Sequence, residues 1–166
     1  MAPFGVRLVA ATLLVTLLLF GKAAAQEVSP AKTACQQAWL APDWETVAKE
    51  CANIAAEDDT TAAWHVQEFG AAGTTSLLNS QQLTNVVGPD YLAAGEVWTR
   101  VAVADGHLNR EEAYRSARAN ALSDLSEARH FGSPETVRTA TAIADLIASE
   151  NFLTDAPSSP LLTQLQ

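Results

Sequence analysis

Two cysteines and one proline constrain this chain more than any other feature. Cys35 and Cys51 are sixteen residues apart. On one continuous helix, rising about 1.5 Å per residue, they would lie about 24 Å apart and could never bond. Between them stands Ala41-Pro42-Asp43, and a proline there interrupts the helix. The midpoint of the two cysteines is residue 43. Folding the chain back at that point brings them face to face across an antiparallel helical hairpin. The flanking patterns agree. Ala31, Ala34, Cys35, Ala38 and Trp39 form one helical stripe, and Trp44, Val47, Ala48, Cys51, Ile54 and Ala55 form the next. In an oxidising compartment the expected outcome is a Cys35–Cys51 disulfide, worth about 3 kcal/mol for a loop of this length. Two buried free thiols or a redox-active pair are the competing arrangements, although a redox pair is usually spaced as Cys-x-x-Cys.

The N-terminus supplies the compartment. Arg7 is followed by the apolar run 8–21 and then by Ala23-Ala24-Ala25, the three-part layout of a secretory signal cleaved after Ala25. The run is shorter than the roughly 20 residues that span a bilayer. No cysteine follows the small residues directly, so a lipid anchor is not indicated. The expected protein is secreted or periplasmic, with residues 1–25 as signal and no stable membrane anchor after cleavage. Cleavage removes Arg7 and Lys22 from the ten basic residues and none of the 19 acidic ones, which takes the net charge from −9 to −11. A surface that acidic repels nucleic acid, so nucleic-acid binding is not expected.

The remaining chain reads as a succession of helices. Ser29-Pro30 is a helix start, and Asp43 caps the second helix. Asp58-Asp59-Thr60 reads as the next boundary, and a third helix carries Trp64, Val66 and Phe69 before fading at 70–73. In residues 74–89, leucines and valines interleave with Ser, Asn and Gln, compatible with a short helix or an ordered loop. Gly88-Pro89 reads as a break. Asp90 then caps a helix with Tyr91, Ala94, Trp98, Val101 and Ala102 on its apolar side, and Gly106 reads as its stop. Asn109 with Glu112 forms a capping box for a helix that runs to His130 and ends at Gly132. Ser133-Pro134-Glu135 opens the last helix, with Val137, Ala140, Ala144 and Ile147 on one face. No segment alternates with a period of two, so the expected fold is all-α: a single helical domain over 26–154 with a flexible tail at 155–166.

Alanine is the commonest residue and recurs at contact positions, where small side chains let helices approach closely. Glu45-Thr46-Val47 and Glu135-Thr136-Val137 each open a helix after an Asp or Ser cap, a small internal echo. Alanine-rich helix pairs of this kind resemble tetratricopeptide-like and Sel1-like repeat arrays. With Trp39 at the aromatic position, Ala48 and Ala55 match the small positions of the second helix, and Ala113 matches one in a later pair. Ala52 and Ala117 stand where those families carry a bulky residue, and Thr60 where they carry proline. The resemblance implies a short array of antiparallel helical hairpins that presents a curved surface. An irregular helical bundle is the alternative.

Chemistry-bearing motifs are sparse. Asp105-Gly106-His107-Leu108-Asn109-Arg110-Glu111-Glu112 is similar to the back half of an EF-hand loop, with Asp105, Asn109 and Glu112 as weak calcium-ligand candidates. The front half places Val101 and Val103 where oxygen ligands belong, so no metal site is expected; a turn followed by a capping box explains the same letters. His65 with Glu68, and His107 with Glu111, have the spacing of ligand pairs on one helix face, as do many solvated neighbours. His130 suits a helix C-terminus. The adjacent acids Asp58-Asp59 and Glu111-Glu112 read as helix starts, where negative charge is favourable. The chain carries no Gly-x-Ser-x-Gly and no phosphate-binding glycine loop, so no cofactor and no catalytic residue are assigned, and a non-enzyme is favoured. Trp39, Trp44, Trp64 and Trp98 lie on or beside apolar stripes and read as core; as exposed residues they would be interaction candidates. The expected function is a non-catalytic interaction module whose partner is another exported protein. The alternative is a small-molecule binder or enzyme with a site assembled from scattered residues, and a degenerate EF-hand-like calcium-binding protein is a minor alternative.

Overall fold

The computed structural model describes residues 29–71 and 77–153, so the expected signal (1–25) and the expected tail (155–166) lie outside the described residues. The described residues are helical, with no strand among them. Helix α1 is Pro30–Leu40. Helix α2 joins Trp44–Thr46, a wider π-helical turn at Val47–Cys51, and Ala52–Ala71. Helix α3 likewise joins Leu77–Gln82, a π-helical turn at Leu83–Val87, and Gly88–His107. Helices α4 (Glu111–Phe131) and α5 (Pro134–Ser149) complete the order.

Several ends follow their local chemistry. Ser29 accepts from the Lys32 N–H at 3.1 Å, with Pro30 opening α1. Asp43 accepts from both the N–H and the hydroxyl of Thr46, which holds its carboxyl below the usual range. Ser133 does the same service for the Thr136 N–H at 3.2 Å, with Pro134 at the first helical position.

Five expected boundaries are corrected. Asp58-Asp59-Thr60 lies inside α2. The hydroxyls of Thr60 and Thr61 donate back to the carbonyls of Ala56 and Glu57, so these residues sit in the helix without competing with it. Asp58 turns out to Lys32 of α1, 2.8 Å away. Gly88-Pro89 does not break α3. In the preceding π turn the Gly88 N–H reaches back to the Leu83 carbonyl, and the widened ladder accommodates the donor that proline lacks. The described part of 74–89 is therefore helix from Leu77, and Asp90 lies within a helical turn instead of capping one. Gly106 is not the stop of α3, which continues to His107. A Cβ on Gly106 would fall 2.7 Å from both the Cβ and the carbonyl oxygen of Phe152, so this glycine serves close packing. The stop is Asn109, at φ 55°, in the left-handed conformation that asparagine tolerates. Asn109 therefore does not cap α4; Arg110 occupies the N-cap position, without a side-chain cap.

One apolar core runs through all five helices. Helix α3 packs most extensively against α4, and α2 and α5 add to that pair. Gly95 of α3 lies directly over Leu125 of α4, which is fully buried. Cys35, Ala38 and Trp39 of α1, and Val47, Cys51, Ile54 and Ala55 of α2, are buried as their stripes require. The Cys35 and Cys51 sulfurs are at bonding distance, 2.09 Å, with Cα atoms 5.1 Å apart across the 41–43 turn.

Candidate functional site

The cavity with the most varied lining is an open groove of about 530 Å³, bounded by the start of α2 on one side and by α3 and α4 on the other. Its α2 wall is the π turn. Five residues in a wider turn carry Ala48, Lys49 and Glu50 to the groove while Val47 and Cys51 remain in the core. The disulfide to Cys35 ties that wall to α1. Trp98 and Val101 of α3 supply the apolar floor, and Ala113 and Ala117 of α4 the far wall. Small side chains on both walls leave the space open.

The rim is charged. Arg110 donates to the Glu45 carboxylate at 2.6 Å, which spans the groove from α4 to α2, and its other amino nitrogen lies 3.8 Å from Asp105. The Asp105 carboxyl is nearly buried, and its backbone carbonyl accepts from the Arg110 N–H at 2.9 Å. Burial pushes the Asp105 carboxyl above its ordinary range, Arg110 pulls it back, and Glu45 adds to the rise. Beside the groove, Trp44 stacks flat on His107 with ring centroids 4.1 Å apart, while its edge meets Trp39 at 5.9 Å. Burial pushes the His107 imidazole below its ordinary value, and its Nε2 is buried without a hydrogen-bond partner.

The four tryptophans have separate fates. Trp39 is core, with the Arg100 guanidinium 5.8 Å above its ring. Trp44 is half-buried in its stack, and Trp98 is half-buried on the groove floor. Trp64 is 55% exposed, which corrects the core reading at that position; its ring lies 5.0 Å from that of His65. Only Trp98 reaches the groove.

The metal readings do not assemble. Asp105 lies in α3 with its carboxyl held by Arg110, Asn109 is the left-handed stop, and Glu112 is exposed in the first turn of α4. A loop that is still helical through residue 107 cannot wrap a cation. Among the described residues no group of three or more His, Cys, Asp or Glu side chains is arranged to hold a metal ion. His65 pairs with Asp90 at 2.7 Å and stacks on Phe69, not with Glu68. His107 pairs with Trp44, not with Glu111, whose carboxylate takes Arg115. His130 is exposed against the edge of Phe131.

Sequence reasoning missed the groove itself. Lys49 carries no motif, Glu45, Arg110 and Ala113 belong to patterns that point elsewhere, and a π turn has no periodicity of its own. The one available signal was Pro42, which brings the 44–52 segment alongside the disulfide. Comparison with family models, curated proteins and solved structures finds no match.

Proposed function

We propose that the protein is an exported, non-catalytic interaction module, and that the groove between α2 and the α3–α4 pair receives a segment of another exported protein. The observation that carries the reading is the groove's construction. Alanine walls and the half-buried Trp98 offer an apolar bed, and the Glu45–Arg110 bridge and Glu50 offer polar anchors at its rim. A partner segment suited to it has one or two apolar side chains flanked by basic ones, because the chain's net charge is strongly negative. The bonded cysteine pair and the signal-like 1–25 segment support export, and among the described residues no helix is long and apolar enough to cross a membrane. The alanine-rich helix pairs support the finer reading as a short hairpin array with a binding face.

The test is to cross-link mildly in the native compartment, purify the protein and identify what accompanies it, in wild type and in two variants. Ala113→Trp fills the groove from an exposed position, and Thr139→Trp adds the same bulk on the exposed side of α5. A partner retained by wild type and Thr139→Trp but lost from Ala113→Trp supports the reading. A partner retained equally by all three contradicts it. A second reading, a small cationic ligand, is favoured by the buried Asp105 carboxyl alone, and a ligand-induced thermal shift abolished by Asp105→Asn would support it.

A further inference from the structure

Cys51 is the last residue of the π turn that forms the α2 wall of the groove, so the disulfide and the groove meet at one point of the chain. A π turn holds one residue more than the α-helical turn it replaces, and such turns are rare inside α-helices. Relaxing it to ordinary α winding would expel that residue and rotate the segment before it by one helical step, about 100°. That segment makes contacts across and beside the groove. Trp44 stacks on His107 at 4.1 Å, and Glu45 takes Arg110 at 2.6 Å. Rotation would break both and carry Glu45 and Ala48 off the groove lining.

Both ends of this segment are held against α1. At its start, the Asp43 N–H donates to the Ala38 carbonyl at 2.9 Å and the Ala41 N–H to the Gln37 carbonyl at 3.0 Å, which fastens the 41–43 turn to the end of α1. At its far end Cys51 is bonded to Cys35, and both residues are buried. With both ends tied, the extra residue cannot leave the turn. The other restraints do not fix the winding. The Asp43–Thr46 cap lies wholly within the part that would rotate. The Glu45–Arg110, Lys32–Asp58 and Gln36–Arg100 pairs lie at the surface, where such pairs are weak. We propose that the Cys35–Cys51 bond is a register lock: it holds the start of α2 in its π form, and the groove receives its segment only in the oxidised protein. The gating rests on the groove reading; the lock itself does not.

The lock is set by thiol–disulfide exchange with a disulfide oxidant, either a dithiol–disulfide oxidoreductase or a small disulfide. One cysteine thiolate attacks the oxidant's disulfide, and the second cysteine then displaces the mixed disulfide. One S–S bond forms in the protein and one breaks in the oxidant, whose two thiols take the two protons that the cysteines lose. In the folded protein Cys51 is fully buried and Cys35 is 3% exposed, so a dithiol reaches neither sulfur while α1 is seated. The device therefore acts once, as the chain folds in an oxidising compartment, and a chain still reduced lacks the groove wall.

Proton NMR of the full processed protein, in wild type and in Cys35→Ala/Cys51→Ala, tests the lock. Wild type should show cross-relaxation between the Trp44 and His107 rings, and the variant should lose it while the Gly95–Leu125 contact of the α3–α4 pair stays. Should that variant fail to fold, Cys35→Val/Cys51→Ala, which refills the buried space, takes its place. A folded variant that keeps the Trp44–His107 contact overturns the lock. So does loss of the fold in both variants, which would make the bond a requirement of the whole domain. Photo-cross-linking from position 113 in the native compartment tests the gating. A protein adduct formed by wild type and lost from the folded variant supports it, and an adduct retained by that variant overturns it. No adduct from wild type refutes the groove reading and the gating with it, while the ring contact still decides the lock.

Discussion

Gly88→Ala sets two effects of known sign against each other. Gly88 is helical, at φ −59° and ψ −49°, so intrinsic propensity favours alanine by about 1 kcal/mol. Packing says the reverse. A Cβ there would lie 2.4 Å from the Gly132 Cα and 2.8 Å from its nitrogen, against the roughly 3.5–4 Å of a comfortable carbon contact. The obstacle is backbone and cannot rotate away. Gly132 is itself boxed in, since a Cβ on it would come within 2.4 Å of the Ala128 carbonyl oxygen. A residue before proline also disfavours the helical conformation once it carries a Cβ, and Pro89 follows. Overpacking of this kind costs about 1–3 kcal/mol, and the pre-proline clash has the same sign. We therefore expect a net destabilisation of about 2 kcal/mol, or a fall of roughly 6 °C in Tm. Urea unfolding followed by tryptophan fluorescence and far-UV dichroism measures it, with the exposed Ala93→Gly as a propensity control that loses about 1 kcal/mol. A Gly88→Ala protein as stable as wild type, or more stable, would refute the packing argument.

Three further outcomes follow from the geometry. Replacing Cys35 and Cys51 by serine should lower stability by about 3 kcal/mol, and thiol titration of the native protein should find no free cysteine until it is unfolded and reduced. His107 should titrate below the ordinary histidine value, with its stabilising contribution full above about 6.5 and lost as pH falls through the lowered value; Trp44→Ala, which uncovers the ring, should return it toward normal in an NMR titration, and an unmoved midpoint would show that burial is not the cause. Arg110→Ala should cost under about 1 kcal/mol in stability, since the Glu45 pair is exposed, yet reduce partner retention; equal retention would remove Arg110 from the binding surface.

The all-helical character was legible because the stripes on α1, α2 and α5 repeat at 3.6 residues, and the disulfide because Pro42 sits midway between the cysteines. Helix ends were legible where one side chain decides them, as at Ser29, Asp43 and Ser133. The readings that failed share a physical reason: each treated a residue's commonest local use as its actual use. Thr60 returns its hydroxyl to the backbone, a π turn absorbs Pro89, and Gly106 is small for Phe152 while Asn109 takes the left-handed stop. Asp59 shows the limit most plainly. Beside Asp58 it reads as a solvated helix start, whereas it lies half-buried inside α2, where tertiary packing and not local sequence decides its surroundings.

The most direct test of the interaction reading is site-specific photo-cross-linking in the native compartment, with the reactive side chain at Ala113 in the groove or at Thr139 on α5. The account predicts a single dominant protein adduct from position 113, lost when Arg110 is replaced, and none from position 139. Adducts of equal yield and identity from both positions, or none from either, would contradict it.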